Sequence, residues 1–473
     1  MVSNDAASRL SSRARPAVSD RSTPERPRGL SRRRALTLPP AIAALVTLGG
    51  CGILGGSAQA QAYDTDATHR EVPLEDVPGA PDAAAACAAL SESLLRFRLG
   101  EEPGGNVLNC PVGTALAVAL LYAGSASPAD GVDALLGVAT DAGAGADADH
   151  VRDLTWSALQ NALLSKDPSD AQLDNFNPEQ IPDTPLLHIA NRVLLVGDNP
   201  AVEQSYLDAA RQWYAATTEH ATRRRAKAAL DAWAKRHTGG LIESSGIEIT
   251  GNTRLVLQNA LLFAAGWASP FTADDTIGDD FTLSDGTTAT AQFMHDKRLL
   301  PYAQGEGWRA VRLQYAEGSG STVMDVILPD SGTTPAQLPE GTWTAASAAL
   351  DAVAYEQRRE VRLALPTLDL QPGAVDLLAF LEAQGITLDS LEHIGEDLVV
   401  DQAVQQVRLI VKEEGTVAGA LTEVSVTELA AAPEEDESIT FTVDHPYVVR
   451  VFDQLTGLVL IEGIVMDPSP QGQ

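Results

Sequence analysis

The chain reads as one large α+β domain, and three observations carry that prediction. Apolar residues recur at helical spacing through the first half, whereas short apolar or alternating runs bounded by Gly, Pro and Asp fill the second. Helices first and strands later favour mainly antiparallel sheets. No linker after residue 80 is long enough to divide the chain, and no internal repeat is visible.

The elements follow in order. Residues 61–80, rich in Gly, Ala, Pro and Asp, read as a flexible tether. Asp82 to Leu99 carries Ala86, Leu90, Leu94, Leu95 and Phe97 on one helical face, and Gly100 with Pro103-Gly104-Gly105 stops it. An apolar helix follows Pro111, with further helices over 130–136, 148–164, 200–215 and 226–237. Ser165 to Pro185 is polar and Pro-rich and reads as a surface loop, and Leu187 to Val196 reads as a strand. In the second half 255–263, 311–315, 323–328, 361–365, 404–411, 447–452 and 458–465 read as strands, interrupted by helical segments at 373–384 and 387–392. The domain spans 81–468, with a tail at 469–473.

The first 60 residues hold nine Arg and three acidic residues, a net of about +6, so a whole-chain charge of -31 leaves about -37 on the remainder. Such a body repels phosphate backbones and argues against nucleic acid as a partner. Ser31-Arg32-Arg33-Arg34 precedes an apolar stretch from Leu36 to Leu48, a positive segment before a short hydrophobic one, as in an export signal. The paired arginines resemble a twin-arginine signal. Leu48-Gly49-Gly50-Cys51 resembles a bacterial lipobox, so Cys51 is the expected lipidation site and the expected location is the cell surface. Cleavage after Ala58-Gln59-Ala60 is the alternative and gives a secreted chain. Cys87 and Cys110 read as small buried hydrophobes.

A search for reaction chemistry yields none. There is no G-x-S-x-G, H-E-x-x-H, Walker-type loop or G-x-G-x-x-G after a strand, and the eight His residues are scattered. Neither an enzyme nor a metal or cofactor is indicated. One segment stands out instead. From Thr416 the alternate residues Thr416, Ala418, Ala420, Thr422, Val424 and Val426 are small or short and β-branched, as on the buried face of a strand. The intervening set beginning with Val417 is mostly able to face water. Yet the segment runs into Leu429-Ala430-Ala431-Ala432-Pro433 and an acidic run, which read as loop. A stretch fit for both loop and strand suggests a two-state element.

Glu413-Glu414-Gly415-Thr416, with Val417, Ala418, Gly419 and Ala420, resembles the proximal hinge of the serpin reactive-centre loop, here about 413–440. The resemblance covers residues 85 to 468. Asn106 to Pro111 is similar to the family's N-V-x-x-S-P, and Leu187 to Asn191 to its L-x-I-A-N. Leu230-Asp231-Ala232-Trp233 with Thr238, Gly240 and Ile242 follows a third motif. Asn259, Phe263, Trp267, Pro270 and Phe271 follow a fourth, and Asp444-His445-Pro446-Tyr447 with Thr456-Gly457 and Gly463 the C-terminal signature. Six weak motifs in the right order make a specific match.

The resemblance implies N-terminal helices on a large, mainly antiparallel sheet, further sheets and an exposed bait loop. It implies a monomeric suicide-substrate inhibitor of serine proteases, trapping the acyl-enzyme by inserting the cleaved loop into the large sheet. Counting from Gly415 places the cut between Leu429 and Ala430, a bait for chymotrypsin-, subtilisin- or elastase-like proteases, with Glu428 as the rival in a shorter register. The alternative is a non-inhibitory binding or structural protein on this fold. The resemblance also identifies a shutter through which the loop enters, formed by Cys110, Gly113, Asn259 and Gln405, and places Trp267 near the point of entry. Cys110 and Gly113 stand where the family usually has Ser, and Gln405 where many members have His. Gln405 is expected to pair with Asn259, and Val417 replaces a usual acidic residue.

Overall fold

Burial of long apolar faces dictates the layers. The computed structural model describes residues 60–63, 65–125, 131–138, 150–198, 201–316, 318–319, 321–388, 391–417 and 438–470. Among them the largest sheet has the strand order Gln61–Ala62, Thr217–Ala221, Leu186–Val196, Leu255–Gly266, Gly415–Thr416, Leu409–Lys412, Leu368–Leu370. Its pairings are antiparallel except that between Leu186–Val196 and Thr217–Ala221. A second sheet runs Val107–Asn109, Val459–Val465, Tyr447–Asp453, Thr322–Pro329, Trp308–Gln314, Tyr302–Gly305. A third runs Ile439–Thr442, Arg359–Pro366, Thr288–Leu300, Thr276–Thr282.

The helix Pro111–Leu121 is apolar almost all round, and all of its residues but Ala117 are buried. That pattern marks a helix enclosed by other elements. It packs between the strands Leu255–Gly266 and Val459–Val465, so its N-terminus supports the middle of the large sheet. The helix Arg223–His237 buries Ala226, Ala229, Leu230, Trp233 and Ala234, one stripe of a surface helix, against the same sheet.

Three expectations are corrected. The stretch expected as a tether is docked from residue 60 onward. Gln61 and Ala62 pair with His220 and Glu219 on the outer edge of the large sheet, and the Tyr63 N–H donates to the Thr218 carbonyl. His69 and the Arg70 N–H then bond to the Gln212 carbonyl, and Val72 is buried. Composition showed polarity, but an open sheet edge supplies backbone partners to any extended chain.

The surface loop between 165 and 185 contains a helix, Asp170–Asp174, started by a Ser169–Gln172 capping box. Arg236 ties it down through Asp170 at 2.8 Å and Asp174 at 2.9 Å. The expected strand 404–411 is split: Val404–Gln405 pairs with Val375–Asp376, and Leu409–Lys412 with Leu368–Leu370. The break occurs where Gln405 turns its amide toward the helix Pro111–Leu121.

Candidate functional site

The hinge is already seated in the sheet. Gly415 and Thr416 lie between Leu255–Gly266 and Leu409–Lys412, with Thr416 opposite Ala265 on one side and Val411 on the other. Thr416 is 1% exposed. Glu413 to Thr416, expected to open a mobile loop, is instead anchored in the sheet. The rest of the expected bait, including Ala418, Gly419, Ala420, Leu429 and Ala430, lies outside the described residues, as does Cys51.

Glycine is required at 415 because a Cβ there would drive into the Ala265 carbonyl oxygen and Ile181 Cδ1. The Glu414 carbonyl accepts the Trp267 N–H at 2.9 Å and the Glu413 carbonyl accepts the Phe271 N–H at 2.8 Å. Side chains add three bonds. Trp267 Nε1 donates to the Lys412 carbonyl at 3.0 Å, and Thr276 Oγ1 donates to Glu413 Oε1 at 2.7 Å. The Tyr315 hydroxyl pairs with Thr416 Oγ1 at 2.7 Å. Trp267 and Tyr315 stack with centroids 4.7 Å apart. Burial pushes the Tyr315 phenol well up, so it stays a neutral hydroxyl.

Val417 corrects an expectation. The alternation puts it among residues able to face water, but it is buried within an apolar cluster that includes Leu173, Leu186, Leu241, Leu262, Ala264 and Ile410. Its N–H donates to the Ile410 carbonyl, and its φ is 54°.

Below the hinge the sheet is open. Strand Leu255–Gly266 makes no ladder with Val404–Gln405, and a cavity of about 840 Å³ separates them. Leu255, Leu257, Asn259 and Leu261 are half-buried along one wall, and Cys110, Gly113 and Thr114 help to line the cavity. A hydrophobic slot flanked by unpaired strand edges can accept an extended chain by backbone pairing.

The shutter residues converge, but with a different wiring from that expected. Gln405 does not pair with Asn259. Its Oε1 accepts the Cys110 N–H at 2.9 Å, and its Nε2 donates to the Cys110 carbonyl and to Thr114 Oγ1, both at 2.8 Å. Asn259 Nδ2 donates instead to Asn191 Oδ1 at 2.8 Å, and Asn191 bonds Gln160 and the Tyr214 carbonyl. Gly113 is explained by Asn259: a Cβ at 113 would lie 2.7 Å from Asn259 Oδ1 and 3.0 Å from Cys110 Sγ. Cys87 and Cys110 are free and buried, and desolvation holds the Cys110 thiol protonated, its pKa pushed up to about 12. Tyr315, Thr276 and Thr114 were not singled out from the sequence, and Asn191 was named only as part of a strand motif. Only contacts between distant segments give them roles.

The comparisons agree with this geometry. Residues 85–468 match the family described as Serpin (serine protease inhibitor). An uncharacterised serpin-like protein of Thermococcus kodakarensis is 30% identical over 250 residues, 51% of this chain and 56% of that protein. Serpin-Z4 of Hordeum vulgare is 25% identical over 392 residues, 78% of this chain and 91% of its own. Among solved structures, native tengpin, a thermophilic serpin, aligns with a TM-score of 0.65 at 19% identity, covering 86% of this chain and all of that one. Human thyroxine-binding globulin with its ligand aligns at 0.64 and 20%, covering 82% and 99%. These structural likenesses carry the fold. With the family match across most of the chain, a hinge between two strands of the large sheet and an open slot beneath it, the chain belongs to the serpin family.

Proposed function

We propose that this protein is a suicide-substrate inhibitor of serine proteases, with Leu429–Ala430 as the bait bond. The observation that carries the reading is the open slot directly continuing the seated hinge. Extending the Thr416–Ala265 register sets Ala418, Ala420, Thr422, Val424 and Val426 opposite Phe263, Leu261, Asn259, Leu257 and Leu255. The residues with small or β-branched side chains thus meet the residues lining the slot. The cut point lies just past the end of that strand.

In this reading the protease serine Oγ attacks the Leu429 carbonyl carbon, and the Ala430 amine leaves with a proton, freeing the bait from its downstream anchor. Insertion then gains a strand's backbone hydrogen bonds and fills the slot before water reaches the ester. The chain supplies no reacting group of its own. Export through the Arg32–Arg34 segment and a lipid anchor on Cys51 belong to the same reading, which places a monomeric inhibitor at the cell surface.

Incubation with chymotrypsin or subtilisin tests it. An SDS-resistant complex of the summed mass is expected, together with a higher melting temperature for the cleaved chain. Cleavage with full protease activity remaining and no stable complex would favour a non-inhibitory binding protein. The same cavity offers that reading a ligand-sized space.

A further inference from the structure

The structure assigns the segment 170–181 as a clasp that holds the hinge seated, with Phe176, Ile181 and Val417 as its positioning residues. The assignment rests on the reading of 413–440 as bait, but the contacts that carry it are separate from the slot.

The clasp touches the hinge and the strand just before it at three points. Ile181 Cδ1 lies where a Cβ on Gly415 would stand, and Ile181 Cγ2 would lie 3.5 Å from one on Gly266. Glu179 Oε2 is 3.9 Å from Lys412 Nζ. Leu173 and Phe176 belong to the apolar cluster that encloses Val417. The segment is itself held in place, by Arg236 through Asp170 and Asp174 and by the Phe176 ring lying on Gly239, where a side chain would collide with it. Gly239 has a φ of +60°.

Val417 shows that the seated state is imposed. A β-branched residue in the left-handed region is a conformational outlier and persists only where its surroundings over-determine it. Here the surroundings are the clasp cluster and the bond to Ile410. An acidic side chain at 417 has no polar partner in that cluster and cannot remain there. With the hinge clasped, two residues are withdrawn from the free loop, roughly 7 Å of extended chain, and the bait reaches a protease less readily. Freeing the hinge returns that length.

The experiment uses the full chain and limiting subtilisin, with Val417→Glu, Phe176→Ala, Ile181→Ala and the conservative Phe176→Leu. Two quantities are read: the rate of cleavage after Leu429 by mass spectrometry, and hydrogen exchange at the Thr416 and Val417 amides. The first three variants are expected to lose amide protection and to be cut about tenfold faster, as the competent fraction rises. Phe176→Leu is expected to stay within about twofold of the parent, since it keeps the apolar volume. Unchanged protection and cleavage rate, with only a lowered melting temperature, would overturn the clasp. Ile181→Ala, the mildest truncation, decides the matter if the others fail to fold. If every form is cut without trapping the protease, the inhibitor reading fails while the clasp is still judged by amide exchange.

Discussion

The hydroxyl groups of Tyr315 and Thr416 meet 2.7 Å apart in the interior, joining a strand-end tyrosine to the first residues of the bait segment across a hundred positions of sequence. Tyr315 is in turn fixed by stacking on Trp267 and by an edge contact with Phe263 at 4.9 Å. The pair sits at the top of the slot, where the proposed insertion would begin.

Tyr315→Phe keeps the stacking and leaves the Thr416 hydroxyl buried without its partner. A loss of about 1–3 kcal/mol from the seated hinge is expected. Hydrogen exchange at Thr416 reads it directly, and protection equal to that of the parent would show that the bond does not hold the hinge.

Thr416→Arg places a charge where the side chain is 1% exposed. Insertion then requires burying an unpaired guanidinium, whose cost exceeds the gain from a few backbone bonds. The variant is expected to be cleaved as a plain substrate. Gel electrophoresis checks this: a covalent complex forming in the parent's yield would contradict the expectation.

Gln405→Leu removes three bonds to Cys110 and Thr114 while keeping the side-chain volume. The Cys110 N–H would lose its partner at the start of a buried helix, while the Cys110 carbonyl keeps the Thr114 N–H at 3.0 Å, for a loss of about 1–3 kcal/mol. Urea unfolding measures it, and an unchanged midpoint would mean that water replaces the amide.

His237, at the end of helix Arg223–His237, has its pKa lowered to about 3, chiefly by burial and then by the neighbouring His188, Arg236 and Arg192. Its ring packs at a tilt against Trp233, centroids 4.5 Å apart, and His188, bonded to Asp167 at 2.6 Å, stacks on it with the ring nitrogens 2.8 Å apart. Between pH 6.5 and 3 the unfolded chain binds a proton there that the folded chain does not. Stability from this residue therefore falls as pH drops below 6.5, by at most about 1.4 kcal/mol per unit. His237→Gln is expected to flatten the stability profile relative to the parent between pH 6 and 4. Parallel profiles would refute the assignment.

Much of the fold was legible because it rests on local signals. The helix after Pro111 begins where proline and the apolar run place it, and Leu255–Gly266, Thr322–Pro329 and Tyr447–Asp453 follow runs of alternating or apolar residues. What escaped rests on partners distant in sequence. The strand Thr276–Thr282 has a mostly exposed, acidic pattern and exists because Thr288–Leu300 pairs with it. The docking of Gln61 depends on an open edge that no local pattern reveals. At the site, the hinge and shutter residues were found by motif. The wiring of Gln405 and the burial of Val417 were not, because each is set by which segment arrives opposite.

The docked N-terminal segment precedes the matched family region, and it has a mechanical consequence. Gln61 pairs with His220, which lies beside Leu195, and Leu195 pairs with Leu255. The hinge sits at the other end of that strand, by Ala265. The two points are separated by about ten residues of extended chain, roughly 33 Å. A cable tied to the N-terminus thus pulls on the outer strand at the end far from the bait, and its load runs into the sheet without crossing the hinge. For the proposed inhibitor, tension on the N-terminal segment and the seating of Gly415 and Thr416 are applied at opposite ends of the sheet.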